Sequence, residues 1–86
     1  MAAEIRVIFY TKAGCHLCEE AKREIEQAGC FDLFDFEEVD ILSDPQLQRR
    51  YGTEIPVVLI NGIHAFKYNL TAEDFQRALR QASRLM

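Results

Sequence analysis

Hydrophobic and polar positions along this chain fall into successive blocks whose period changes from block to block. Residues 4–10 (EIRVIFY) set Ile5, Val7 and Phe9 against Arg6, Ile8 and Tyr10, and are rich in β-branched and aromatic side chains. That composition predicts a strand covered on both faces. After the turn TKAG the period lengthens. Leu17, Cys18, Ala21, Ile25 and Ala28 share one helical face, and Glu19, Lys22, Arg23 and Glu26 take the other. Glu19–Arg23 and Lys22–Glu26 are opposite charges one turn apart, which supports a helix starting at about Cys15. Gly29 suits the left-handed position that closes it.

Residues 36–41 (FEEVDI) predict a second strand. Asp44 then offers an N-cap to a helix with Pro45 at its first position, Leu47 and Tyr51 on its inner face and Gly52 at its end. Residues 56–60 (PVVLI) predict a buried strand. Asn61–Gly62 is a tight-hairpin signal that leads into an antiparallel partner at 63–67 (IHAFK). The last helix is predicted from Thr71, with Asp74 as its capping-box partner and Leu70 and Phe75 as a hydrophobic staple. Phe75, Ala78, Leu79, Ala82 and Leu85 form its apolar stripe; acids lie in its first turn, with Arg80 and Arg84 near its end. The order is βαβαββα, an α/β chain. The two early crossovers predict parallel neighbours, the hairpin an antiparallel strand, and helices should cover both faces.

Length and composition narrow the classes. At 86 residues, 49% of them hydrophobic and 28% charged, residues 1–86 are expected to form one globular domain. No apolar run approaches the ~20 residues that span a bilayer. The opening MAAEIRVIFY lacks the features of a signal peptide, so a cytoplasmic location with reduced thiols is expected. The net charge of −4 argues against a nucleic-acid partner. A monomer with no membrane association is expected.

Chemistry is concentrated at the junction of the first strand and first helix, where open α/β sheets place their sites. Cys15 would meet unpaired backbone N–H groups and the positive end of the helix dipole. Both favour thiolate and lower its pKa below the free value of ~8.5. Cys18 lies one turn on and on the same side, close enough for a disulfide. An exposed thiolate that attacks and a more buried thiol that resolves are what thiol–disulfide exchange requires. Gly14 leaves room for a substrate backbone, Lys12 adds positive charge, and His16 borders the attacking thiol and could tune it. Two other readings stand beside this one. The pair could be small core residues, since free cysteine is often buried. It could also be half of a metal site, but zinc needs four ligands, and only Cys30, His16 and His64 remain as soft donors. No bound metal is expected from a single chain. Cys30, just past Gly29, is read as a small buried residue packed back on Ile25, not a third redox partner. His64 is read as structural or exposed.

VIFYTKAGCHLCEEAK, a strand ending FEEVDI, EIPVVLING and a final amphipathic helix together resemble a glutaredoxin-like member of the thioredoxin superfamily, most closely the short proteins with a Cys-x-Leu-Cys site. The resemblance implies a thioredoxin fold, βαβαββα with a four-stranded mixed sheet and helices on both faces. It also implies a dithiol–disulfide oxidoreductase with Cys15 as nucleophile, Cys18 as resolving thiol, and a redox-active Cys15–Cys18 disulfide in place of a bound cofactor. Pro56 would be cis beside that disulfide, and the backbone of Ile55 would pair with substrate. The implied partners are a disulfide-containing protein and a reductase or other dithiol donor. Departures are equally specific. His16–Leu17 replaces the Pro-Tyr of glutaredoxins and the Gly-Pro of thioredoxins, and Phe9 stands where thioredoxins bury an aspartate. Phe66 and Lys67 fall where glutaredoxins carry the glycine pair that receives glutathione, so glutathione is expected to be a poor partner. Thr71 and the amides of the last helix could still hold a carboxylate. A reading from another class is a non-catalytic binding module that keeps the fold and uses the thiols to hold a metal or dock a partner.

Overall fold

Among the described residues there are seven regular elements and one 3₁₀ turn: β1 (Ile5–Thr11), α1 (His16–Ala28), β2 (Phe34–Asp40), the turn Ile41–Ser43, α2 (Pro45–Tyr51), β3 (Val57–Ile60), β4 (Ile63–Lys67) and α3 (Ala72–Arg84). The structure is a computed structural model that describes residues 5–84. Glu4 and Leu85, assigned above to the first strand and the last helix, lie outside the described residues, as does the side chain of Arg84. The four strands form one mixed sheet in the order β2-β1-β3-β4.

Phe34 to Asp40 run parallel to Ile5 to Thr11 in unbroken register. The second strand therefore begins earlier than the sequence pattern predicts, because Phe34 pairs with Ile5 and is buried. It also ends one residue sooner. The Asp40 carboxylate accepts the N–H of Leu42 at 2.8 Å, which turns Ile41 into the 3₁₀ turn.

A second correction concerns direction. The crossover through α2 was expected to return β3 parallel to its neighbour, yet β3 runs antiparallel to β1, with Val57 opposite Tyr10. β2 ends with Asp40 beside Thr11, so β3 starts at the same end of the sheet at which β2 stopped. The seven residues of α2 span only about 10 Å and do not carry the chain back across the sheet.

Alternation along β1 decides what each face holds. Ile5, Val7 and Phe9 are buried with Cys18, Ala21 and Ile25 of α1 and with Phe75 and Leu79 of α3. The ring of Phe34 meets that of Phe75 edge-on at 5.5 Å. On the opposite face Tyr10 stacks on Tyr51 of α2 at 4.6 Å, while Arg6 stays exposed. Helices thus cover both faces, though β1 is not enclosed at its Arg6 position. The β3–β4 hairpin turns at Asn61 (φ 52) and Gly62 (φ 81), the paired left-handed conformation of a type I′ turn. Half of the predicted capping box forms at the start of α3: the N–H of Asp74 donates to Thr71 Oγ1 at 3.1 Å, whereas the Asp74 carboxylate accepts from Arg77 at 3.4 Å; Leu70 and Phe75 are both buried.

Candidate active site

β1 delivers the chain to a short loop, and the loop sets the first cysteine. Gly14 sits at φ +80, and a Cβ built there would meet no atom within 4 Å. The glycine is required for its backbone conformation, in a space open to solvent or substrate. Cys15 follows as the N-cap of α1, with its backbone extended (φ −84, ψ 106). Its N–H donates to the carbonyl of Lys12 at 3.3 Å, and its own carbonyl accepts the N–H of Glu19 at 3.1 Å. Its sulfur accepts the N–H of Cys18 at 3.2 Å, so a thiol stands where a serine or aspartate oxygen usually caps a helix.

Cys15 and Cys18 are joined in a disulfide with their Cα atoms 5.2 Å apart. Their accessibilities differ. Cys18 is 2% exposed and belongs to the core, whereas Cys15 is half-buried and reaches the surface. The reading of both as core residues is excluded for Cys15 by this placement.

Ile55–Pro56 is a cis peptide bond. With Val57 opposite Tyr10, this peptide lies at the same end of the sheet as the loop that carries Cys15. The carbonyl of Pro56 accepts the N–H of Tyr68 at 2.9 Å. The N–H of Ile55 donates to the carbonyl of Tyr51 at 3.1 Å, and Ile55 itself is buried. Tyr68 holds φ 71, a conformation rare for an aromatic residue, and the sequence carries no local signal for it.

A groove of about 500 Å³ opens beside Cys18, lined by Phe9, Lys12, Gly14, Lys22 and Glu38 among others. Lys22 donates to Glu38 at 2.8 Å, and that hydrogen bond raises the lysine pKa above its ordinary value. Phe9, fully buried, forms part of the groove wall.

His16 is placed on α1 beside Cys15, but its Nε2 lies 3.2 Å from Glu20 Oε1 and its side chain is 76% exposed. Cys30 is half-buried, not fully buried as its position suggested. Its thiol donates to the carbonyl of Ala28 at 3.1 Å, so the left-handed turn at Gly29 leaves the sulfur capping the helix end. It stands beyond the far end of α1, roughly 20 Å along the helix from Cys15. His64 is exposed, with its ring 5.8 Å from that of Tyr51. Among the described residues no group of three or more His, Cys, Asp or Glu is placed to hold a metal ion.

Two features bear on small anionic substrates. Phe66 turns inward and is partly buried against the core, while Lys67 stays exposed, 3.7 Å from Glu54 and 5.5 Å from the ring of Tyr68. Two amides in the first turn of α3 are occupied. The N–H of Ala72 donates to Glu24 Oε1 at 2.9 Å, and that of Asp74 to Thr71. Glu24 was not foreseen, since its partner lies 48 residues away and no local pattern marks it.

The profile of a glutaredoxin-like domain (DUF836) matches residues 6–80 of this chain. Among solved structures, a structural-genomics target protein from X. campestris (XcR50) superposes with a TM-score of 0.75 at 25% identity, covering 87% of this chain and 96% of that one. Protein Ne2328 from Nitrosomonas europaea gives 0.71 at 22% identity, over 91% and 94%. A chloroplastic thioredoxin z gives 0.75 at 17% identity, over 93% and 79%, a likeness of fold alone.

Proposed function

We propose, from the fact that this chain belongs to the glutaredoxin-like domain family, that it is a dithiol–disulfide oxidoreductase acting on protein disulfides through Cys15 and Cys18. The observation that carries the reading is the asymmetry of the pair: Cys15 caps α1 with an N–H aimed at its sulfur, and Cys18 is buried one turn behind. Amide hydrogen bonding and the helix dipole both stabilise a thiolate at Cys15, the form that attacks.

In the reduced protein the Cys15 thiolate attacks one sulfur of the substrate disulfide. A bond forms between Cys15 Sγ and that sulfur, the substrate S–S bond breaks, and the departing substrate thiolate takes up a proton. Cys18 then loses its proton and attacks Cys15 Sγ, which restores the intramolecular disulfide and releases the second substrate thiol. Two electrons have passed to the substrate, and a protein reductase or another dithiol returns them.

Gly14 keeps the approach to Cys15 open, Lys12 adds positive charge beside it, and the Ile55 carbonyl next to cis Pro56 receives the substrate backbone. His16 adjoins Cys15 in the chain and could tune its thiol, with its Nε2 3.2 Å from Glu20 Oε1. In this reading the protein works as a cytoplasmic monomer without metal, nucleic acid or membrane, and glutathione is a poor electron donor. The test compares insulin-disulfide reduction driven by a thioredoxin-reductase-type donor with reduction driven by glutathione and its reductase. Turnover with the first and little with the second is expected. Efficient, saturable turnover at cellular glutathione levels would make glutathione the donor, and no turnover with either would overturn the assignment.

A further inference from the structure

We infer that Lys22 is a positioning residue for the resolving step: held by Glu38 over the groove onto which Cys18 opens, its ammonium favours the Cys18 thiolate that attacks Cys15. The inference rests on the exchange reading above and adds to it what makes the buried thiol competent.

The pattern along β2 raises the question. Phe34, Phe36, Glu38 and Asp40 share one face of the strand, because side chains alternate. Phe34 pairs with Ile5 and Phe36 with Val7, on the face that α1 and α3 cover. Toward the cysteines the same face turns acidic: Glu38 stands opposite Phe9 and Asp40 opposite Thr11. Inward-facing acids also guard an edge strand against pairing with another chain, but that purpose needs no cation from α1. Lys22 nonetheless donates to Glu38 at 2.8 Å.

Lys22 lies one helical turn after Cys18, which sets their Cβ atoms about 5–6 Å apart. Cys18, Lys22 and Glu38 line the same groove of about 500 Å³, with Phe9 in its wall. Among the described residues lining it, the other charged groups are Lys12 from the loop, Glu19 from α1 and Asp40 from β2. The apolar wall strengthens the field between charges beside it. The hydrogen bond to Glu38 raises the Lys22 pKa, and Glu26 on α1 acts in the same direction, so the ammonium keeps its proton where thiols titrate.

Once Cys15 is bonded to substrate, Cys18 must lose its proton although it is buried, and burial penalises the thiolate. The groove gives that proton a way to water, and the Lys22 charge offsets part of the penalty. The thiolate bonds to Cys15 Sγ, the bond from Cys15 to the substrate sulfur breaks, and the departing thiolate takes up a proton. Lys22 stays protonated and transfers nothing. Glu38 fixes the ammonium over the groove and, as an anion, limits its effect.

Glu38 therefore gives the test its sign. The reduced full-length protein, with Cys30→Ser so that only the pair reacts, is mixed with Ellman's reagent in single turnovers between about pH 6 and 10. Attack by Cys15 releases one thionitrobenzoate and attack by Cys18 the second, so the pH midpoint of the second rate reads the Cys18 thiol. Lys22→Met should raise that midpoint by about half a unit and slow the second release about threefold at neutral pH, the scale of one partly solvated charge. Glu38→Gln keeps an oxygen for Lys22 and drops the opposing charge, so its midpoint should fall and its second release quicken. Lys22→Arg should stay near the native value. A contact that served only to hold α1 to β2 would move Lys22→Met and Glu38→Gln the same way. A midpoint that rises in Glu38→Gln, or stays in place in Lys22→Met, overturns the role of Lys22 and leaves the exchange reading intact. No second release with Lys22 and Glu38 both in place overturns both.

Discussion

The amide of Cys18 donates to the sulfur of Cys15 across 3.2 Å, so the buried cysteine of the pair sets a backbone donor on the more exposed one. In the proposed reduced protein that bond and the amino end of α1 favour a thiolate at Cys15, whereas burial disfavours one at Cys18. Cys15 is therefore expected to titrate below the ordinary cysteine value and Cys18 above it. Alkylation of the reduced protein at mildly acidic pH, read by peptide mass mapping, should label Cys15 first. Earlier labelling of Cys18 or Cys30 would reverse the assignment.

The core that holds this geometry is small, and single residues matter in it. Phe75 is fully buried, meets Phe34 edge-on and anchors α3 over the sheet. Phe75→Ala should cost about 3–5 kcal/mol. That is a large share of the roughly 4–13 kcal/mol expected for a domain of this size, so the urea midpoint of the variant should fall steeply. A loss below about 1 kcal/mol would mean that α3 contributes little to the core.

On the other face, Tyr10 stacks on Tyr51, and burial first, then the neighbouring tyrosine, raises its pKa above the ordinary tyrosine value. A raised folded-state pKa contributes stability that is complete below the unfolded value of about 10 and is lost as pH climbs through the folded value. Lys22, raised by Glu38, adds to the same alkaline decline. Tyr10→Phe should therefore lose less stability than the native protein between about pH 9.5 and 11, measured by urea midpoints at each pH. Identical pH profiles would show that the stacked ring does not couple to folding.

The sequence made legible whatever is decided locally. Asn61–Gly62 marks the hairpin because few residues accept two successive positive φ values, and Thr71 marks the start of α3 because its hydroxyl reaches an amide three residues on. The cysteine pair and its place at the end of β1 were readable from spacing and from the change of period. The direction of β3 was not, because it depends on which edge of the sheet the chain re-enters and not on the pattern within PVVLI. Glu24 was not readable either, since its partner is brought to it only when α1 and α3 pack together. Cys30 was placed beside the correct helix end but assigned too much burial, because the turn at Gly29 sends its thiol to the Ala28 carbonyl at the margin of the core.

The most direct test of the account is the covalent fate of each single-cysteine variant with a disulfide-containing protein. Reduced Cys18→Ser and reduced Cys15→Ser are incubated with a disulfide protein such as insulin, quenched with acid, and weighed intact by mass spectrometry. Cys18→Ser keeps the attacking thiolate and lacks the resolving thiol, so it should accumulate a mixed disulfide through Cys15. Cys15→Ser should form none and support no turnover. Equal trapping by the two variants, or native-level reduction by Cys15→Ser, would contradict the division of roles between Cys15 and Cys18.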